Sequence, residues 1–348
     1  MSIEYPVENG SSGKGIILVM ILFLLLLVVG VGSWLWSFSA QKAPGERSET
    51  AAVVIPKGAA VEEINTTLAE SGLVEEDIRF LFLARYLGLA AKLQAGEFAL
   101  HRGQTPIELL RELAMAKPIQ HAVTIPEGLT IPEIAKIFGS GGWCEAEDFV
   151  GLATDPEFLQ GLGLSSRKDL EGYLYPDTYY LTRKAQTAAD LLRMQVHRFF
   201  AVWNGMQKPR SVTLTDDEIL ILASMVEKET GRAEERPLIA GVFHNRLEKG
   251  MRLQSDPTVS YGIPGFSGRL TRKDLQTPSP YNTYTLEGLP AGPICNPGKE
   301  ALQAVLKPTP SNFFYFVSKN DGSHKFSKSL REHNNAVNKY QRSKKRKQ

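Results

Sequence analysis

Residues Ile16 to Trp36, IILVMILFLLLLVVGVGSWLW, run for 21 positions without a charged side chain. A hydrocarbon layer of about 30 Å is crossed by about 20 apolar residues, and a helix is the single-segment form that satisfies its own backbone N–H and C=O groups there. The run therefore predicts a transmembrane helix over 16–38, and everything after it folds on one side of a membrane. A cleaved signal peptide is the alternative, because SFSA at 37–40 supplies small residues, but a signal core is usually only about 7 to 15 residues long. The uncleaved anchor is the stronger reading. Charge does not set its orientation, since Lys14 on one flank is balanced by Lys42 and Arg47 on the other.

The remaining length is enough for more than one core, and 40 basic against 38 acidic residues leave a net charge of +2. That balance gives no global field for nucleic acid, and KKRK at 344–347 reads as a solvated tail. Two cysteines, Cys144 and Cys295, cannot build a disulfide framework and form either one bridge or two thiols. Polar QKAPGERSETA (41–51) marks a tether, so 39–52 is a linker. VVIPKGAAVEEI (53–64) then has a near copy in VTIPEGLTIPEI (123–134) and a weaker one in FALHRGQTPIELL (98–110). Each reads as a short strand, a Gly turn and a helix start, which predicts an α+β fold. The pattern separates a module at 53–120, with helices near 60–71 and 76–90 and a strand near 96–100, from a connecting α+β region at 121–208. A final domain occupies 209–342 and a basic tail 343–348.

Helices are predicted at 187–203, at 216–230 behind Thr or Asp caps, and from Arg236 with Pro237 in its first turn to Lys249 before Gly250. NFFYFVS (312–318) is the best strand, and a terminal helix spans Ser329 to Gln341. The 216–230 helix ends in Glu227, Lys228 and Glu229, although carboxylates at a helix C-terminus are disfavoured by about 0.3–1 kcal/mol. At helical spacing Ile219, Leu222, Met225 and Val226 share one apolar arc. Glu229 falls inside that arc, Lys228 shares the polar side with Ser224, and Glu227 lies nearer the arc's other margin. Burial raises a carboxyl pKa and makes a general acid, so Glu229 is the first candidate catalytic residue and Glu227 the second. The alternative is a solvated last turn.

Two loops follow whose prolines fix the backbone: NRLEKGMRLQSDPTVSYG (245–262) and TPSPYNTYTLEGLPAGPICNPG (277–298). They supply Asn245, Gln254, Ser255, Asp256, Tyr261, Tyr281, Asn282, Tyr284 and Asn296, the aromatic and amide mixture that recognises sugars and that also serves ordinary turns. His244, His324 and His333 are the material for a metal site, but eight residues separate the last two and no HExxH-like pair occurs. No metal or other cofactor is expected.

At LASMVEKETG, VFHNRLEKGMRLQSDPTVSYG, TPSPYNTYTLEGLPAGPICNPG and FFYFVSKNDGSHKFSKSLREHNNAV the chain resembles the YceG-like family of endolytic murein transglycosylases, in order and spacing. The 53–120 module resembles the LysM-like βααβ pattern that binds N-acetylglucosamine-containing glycans, with a ligand-free spacer as the alternative. The resemblance implies a cytoplasmic tail at 1–15, an inner-membrane anchor, and a periplasmic catalytic domain with a lysozyme-like catalytic helix. It also implies internal cleavage of peptidoglycan strands, 1,6-anhydro-N-acetylmuramic acid ends, a Glu in EKET as the one acid and base, and cell-wall synthesis enzymes as partners. ETG resembles the ES dipeptide of lysozyme-like lytic transglycosylases, which favours Glu229. The rival readings are a glycoside hydrolase pairing Glu229 with Asp256 and a non-catalytic, membrane-anchored glycan-binding protein.

Overall fold

The structure is a computed structural model describing residues 12–342, so the basic tail and residues 1–11 lie outside it. Helices dominate, with three two-stranded sheets among the described residues, and the fold is α+β. The chain forms two compact units: Met1–His121 with Leu181–Ala185, and Ala122–Tyr180 with Gln186–Gln348. Residues 122–180 and 186–208, read from sequence as a connecting region, thus belong to the same compact unit as the final domain.

The first unit contains α1 (Ser12–Ser39), β1 (Thr50–Ile55), α2 (Val61–Glu70), α3 (Arg79–Tyr86), β2 (Gly96–His101) and α4 (Pro106–Met115). Within α1, Gly15–Ser39 is long and apolar enough to cross a membrane, and it is the one such helix among the described residues. Burial alternates along β1 and β2, as strands with one covered face require. They pair antiparallel in the register Val53↔Phe98 and Ile55↔Gly96. Val53, Ile55, Phe98 and Leu100 then close a core with Leu68, Phe80, Leu83, Leu109 and Leu113. Phe38, from the last turn of α1, is 1 % exposed and belongs to that core.

The second unit contains most of β3 (His121–Thr124), then α5 (Ile131–Ser140), α6 (Ala146–Ala153), α7 (Pro156–Gly161), β4 (Thr178–Leu181), α8 (Ala188–Asn204), α9 (Asp216–Glu229) and α10 (Arg236–Glu248). It continues through α11 (Asp256–Tyr261), α12 (Arg272–Gln276), α13 (Lys299–Leu306), β5 (Tyr315–Ser318), β6 (His324–Ser327) and α14 (Leu330–Val337). The strand at NFFYFVS is shorter than expected, and the terminal helix gives way to a wider turn at Asn338–Arg342. Both cysteines are thiols, with Cys144 half-buried and Cys295 buried.

At the centre, α9 packs on α10, α11 and α13. Every residue from Ile219 to Val226 is buried, including Ser224, which had been placed on a polar side. The expected apolar arc is therefore corrected to a helix covered all round. Ser224 Oγ stays satisfied by donating to the Ile221 carbonyl (2.7 Å) and accepting from Ile294 N–H (3.0 Å).

A second knot holds the loops. Glu171, 3 % exposed, accepts from Ile131 N–H (3.2 Å), Tyr261 O–H (3.2 Å) and the Asn296 amide (2.8 Å). Gly172 follows with φ +88°, where a Cβ would lie 2.7 Å from Pro293, so the close approach of these loops demands glycine. Burial pushes the Glu171 carboxyl up to about 8 from an ordinary 4.5. The folded state therefore binds a proton that the unfolded state has released over that interval, and this group's contribution to stability falls as pH rises from 4.5 through 8. Thermal unfolding of the full chain in detergent checks this: relative to Glu171→Gln, the wild type should lose stability progressively between about pH 5 and pH 8. Parallel curves across that range would contradict a raised Glu171.

Candidate active site

The helix α9 begins with a capping box, in which Thr215 N–H donates to Glu218 (2.7 Å) and Glu218 N–H donates to Thr215 Oγ1 (3.2 Å). Asp216, Asp217 and Glu218 in its first turn complement the positive end of the helix dipole. It stops at Thr230, whose backbone is extended. The last turn then presents Glu227 and Glu229 at the unfavourable end, and the fold treats the two differently.

Glu227 accepts from Arg236 Nη2 at 2.8 Å and from the Gly298 backbone N–H at 2.9 Å. Both side chains are covered, at 5 % and 7 % exposure. Arg236 also reaches Glu127 (3.3 Å) and Glu300, so one guanidinium serves three carboxylates. Glu227 thus fastens the end of α9 to the start of α10 and to the N-terminus of α13. Burial, and next the charge of Glu227, hold the Glu127 carboxyl above its ordinary value.

Glu229 has no cation within ion-pairing distance among the described residues. Its Oε1 accepts one short hydrogen bond, 2.6 Å, from Ser255 Oγ. The residue keeps a partly exposed edge while protein surrounds its carboxyl group. Burial raises its pKa above the ordinary 4.5, and the charge of Asp256 adds to that. The Ser255 hydrogen bond and the positive charges of His324 and Arg246 oppose the shift without reversing it. The loop before α11 supplies its hydrogen-bond partner.

That loop is locked from behind. Gln254 is exposed and sits at φ +47°, a left-handed conformation costing a non-glycine residue about 1–3 kcal/mol. Its N–H donates to the Thr283 carbonyl (3.1 Å), and Ser255 N–H donates to Thr283 Oγ1 (2.9 Å). Thr258 Oγ1 closes the lock on the Ser255 carbonyl (2.7 Å) and lies 2.8 Å from Thr283 Oγ1. Asp256, exposed, accepts from Tyr284 O–H at 2.6 Å. Tyr261 and Tyr281 meet edge to face at 4.9 Å, with Tyr261 anchored on Glu171.

The structure thus brings Glu229, Ser255, Asp256 and Tyr284 together through direct contacts and their shared loop, with Gln254 adjacent. Three asparagines act otherwise. Asn282 is 1 % exposed, donates to the carbonyls of Asp274, Leu275 and Thr277, and accepts from Tyr284 N–H. Asn245 donates to the carbonyls of Ser311 (2.8 Å) and Phe313 (2.9 Å). Asn296 ties Leu129, Glu171 and Leu174. All three build the frame around the site. The histidines take separate partners: His244 lies against the Val305 carbonyl, His324 against Glu235, and His333 against the Tyr315 ring.

Sequence reasoning missed Glu171, Arg236, Thr258 and Thr283. The threonines stood inside the quoted loops but were not singled out there. Arg236 stood beside Pro237 at a helix start and gave no sign that it would be buried.

Residues 53–339 match the YceG-like family. An endolytic murein transglycosylase of Bacillus subtilis (strain 168) is 31 % identical over 308 residues, covering 84 % of this chain and 85 % of the relative. An enzyme of the same name from Streptococcus pneumoniae serotype 2 is 35 % identical over 301 residues, covering 76 % of this chain and 54 % of the relative. The 2.6 Å crystal structure of a yceG-like protein from Listeria monocytogenes aligns with a TM-score of 0.57 at 31 % identity, over 82 % of this chain and 99 % of that one. With the match covering most of its length, this chain belongs to the YceG-like family.

Proposed function

We propose that this chain is an endolytic murein transglycosylase that cleaves MurNAc–GlcNAc bonds within glycan strands, leaving 1,6-anhydro-N-acetylmuramic acid ends, with Glu229 as its one acid and base. The observation that carries the assignment is the contrast in the last turn of α9: Glu227 is held by Arg236 and Gly298, whereas Glu229 is desolvated and bound by one hydroxyl. The names of the relatives support the reaction class.

The chemistry needs one carboxyl. Ser255 Oγ–H occupies Glu229 Oε1, which leaves the other oxygen to carry the proton. Glu229 donates that proton to the leaving glycosidic oxygen as the C1–O bond breaks. The resulting carboxylate takes the proton of the sugar's own C6 hydroxyl, whose oxygen bonds to C1 in place of water, and Glu229 returns to its starting state. Gln254, Asp256, Tyr261, Tyr281 and Tyr284 supply amide, carboxylate and aromatic contacts for the strand. The β–α–α–β order of the first unit supports a LysM-like role there, α1 supports a single-pass membrane anchor, and the inner membrane and a periplasmic catalytic unit rest on the family resemblance.

Digestion of purified peptidoglycan by the full chain, followed by mass spectrometry, tests the reading. Glu229→Gln cannot donate or accept the proton and should lose anhydro products by at least about 10²-fold, the lower end of general acid–base help. Glu227→Gln should keep turnover while lowering the melting temperature, because breaking a buried ion pair costs about 3–5 kcal/mol. The reverse pattern would move the role to Glu227, and reducing ends in place of anhydro ends would make the protein a hydrolase.

The pH profile supplies a second check. Cleavage needs protonated Glu229, so activity should fall on the alkaline side with an apparent pKa above 4.5. Asp256→Asn removes a charge that raises the Glu229 pKa, so this limb should move to lower pH with anhydro products retained. Complete loss of activity at every pH would instead support Asp256 as a second catalytic carboxylate.

A further inference from the structure

In the first unit, α3 turns an apolar face to solvent. Ile78 just before the helix, Phe82 and Tyr86 are spaced four residues apart, lie on one side, and are 62 %, 47 % and 82 % exposed. The other side buries Phe80, Leu83 and Ala84 in the core. An exposed stripe of this kind on a small module marks an interaction surface, and its neighbours say of which kind.

The stripe abuts the end of α1. The Phe82 ring meets the Trp34 ring edge to face at 6.0 Å. Arg79 Nη1 donates to the Trp34 carbonyl (3.4 Å) and to Ser37 Oγ (3.2 Å), and its guanidinium lies 5.7 Å from the Trp34 ring and 4.9 Å from the Phe38 ring. Asp77 balances its charge at 2.6 Å. With Phe38 buried in the core, the last turn of α1 is packed against the start of α3. Trp34 and Trp36, 43 % and 72 % exposed, stand where tryptophans mark the end of a membrane span, in the headgroup belt. The Phe82 ring lies within 6.0 Å of the Trp34 ring, and a residue one helical turn from Phe82 is displaced along α3 by about 6 Å, so the stripe stays close to the level of that belt.

We propose that the Ile78–Phe82–Tyr86 face of α3 rests in the headgroup region of the bilayer that α1 spans, a docking that relies on the membrane-anchored reading above. Aliphatic and aromatic side chains with a phenol at one end suit that boundary, and exposed Arg85 lies beside them to meet anionic lipid. The first unit is then seated on the membrane surface and does not swing from a tether.

Full-length protein carrying Cys144→Ser is reconstituted in vesicles of phosphatidylcholine and phosphatidylglycerol. One accessible cysteine is then introduced at Phe82, Tyr86, Glu62 on α2, or Leu27 within α1 to carry an environment-sensitive fluorophore, Cys295 remaining buried, and lipids spin-labelled near the headgroup or along the acyl chain act as quenchers. The labels at 82 and 86 should lose most of their emission to headgroup quenchers and that at 27 to acyl-chain quenchers, while the label at Glu62, an exposed position outside the stripe, keeps its own. If 82 and 86 behave like 62 while 27 is quenched, the docking fails and the anchor stands. If 27 is also unquenched, both fall. A Tyr86→Cys disulfide dimer that forms in place of quenching would assign the face to a second copy of the chain and overturn the proposal.

Discussion

The buried Glu227–Arg236 ion pair is the contact on which the geometry of the second unit turns. A helix C-terminus repels carboxylates, and α9 carries two in its last turn. Arg236 resolves one of them with a guanidinium planar enough to serve Glu227, Glu127 and Glu300 together. Because Glu227 also accepts from Gly298 N–H, the same carboxylate sits on the N-terminal end of α13, where the dipole favours negative charge. Three helix termini and the 126–128 loop are thereby pinned at one point.

Pinning the helix end lets its second carboxylate face something else. Two residues along a helix rotate a side chain by about 200°, so Glu227 and Glu229 must look in nearly opposite directions. One faces a cation in a dry interior. The other faces the Ser255 hydroxyl, where desolvation raises its pKa and, among the described residues, no cation lies within ion-pairing distance to hold it ionised. The same residue type thus meets two surroundings within one helical turn, an ion pair on one side and a single hydroxyl on the other.

Local features of this division were legible in the sequence, and long-range ones were not. Capping residues, Pro237 and Gly250 placed α8, α9 and α10 to within a residue or two, because those signals act within one turn. The β–α–α–β order of the first unit followed from period and turn residues. The four residues of the apolar arc on α9 are buried, but so is every other residue from Ile219 to Val226, so periodicity alone did not say which carboxylate was sheltered. Glu229 stood out in the sequence through that arc and the ETG resemblance, yet its hydrogen-bond donor is Ser255, 26 residues away. Asn282 and Asn245 looked like sugar ligands because composition cannot distinguish an amide turned to a ligand from one turned to its own backbone. Glu171 was invisible for a related reason: its partner Asn296 is 125 residues distant, and nothing local in LEGY records a buried carboxyl.

That carboxyl adds a directional constraint on the aromatic side of the site. Its three neighbours, Ile131 N–H, the Asn296 amide and Tyr261 O–H, are all donors to an ionised Glu171. Once Glu171 is protonated, as its pKa of about 8 implies through the neutral range, its own hydrogen needs an acceptor. Of the three, only the Tyr261 oxygen can serve. The Tyr261 oxygen then accepts from Glu171, which frees the Tyr261 proton for another acceptor. The same burial that costs stability at high pH therefore bears on the orientation of the Tyr261 hydroxyl, so the buried carboxyl ties the packing of the loops to the hydrogen bonding of one of their phenols.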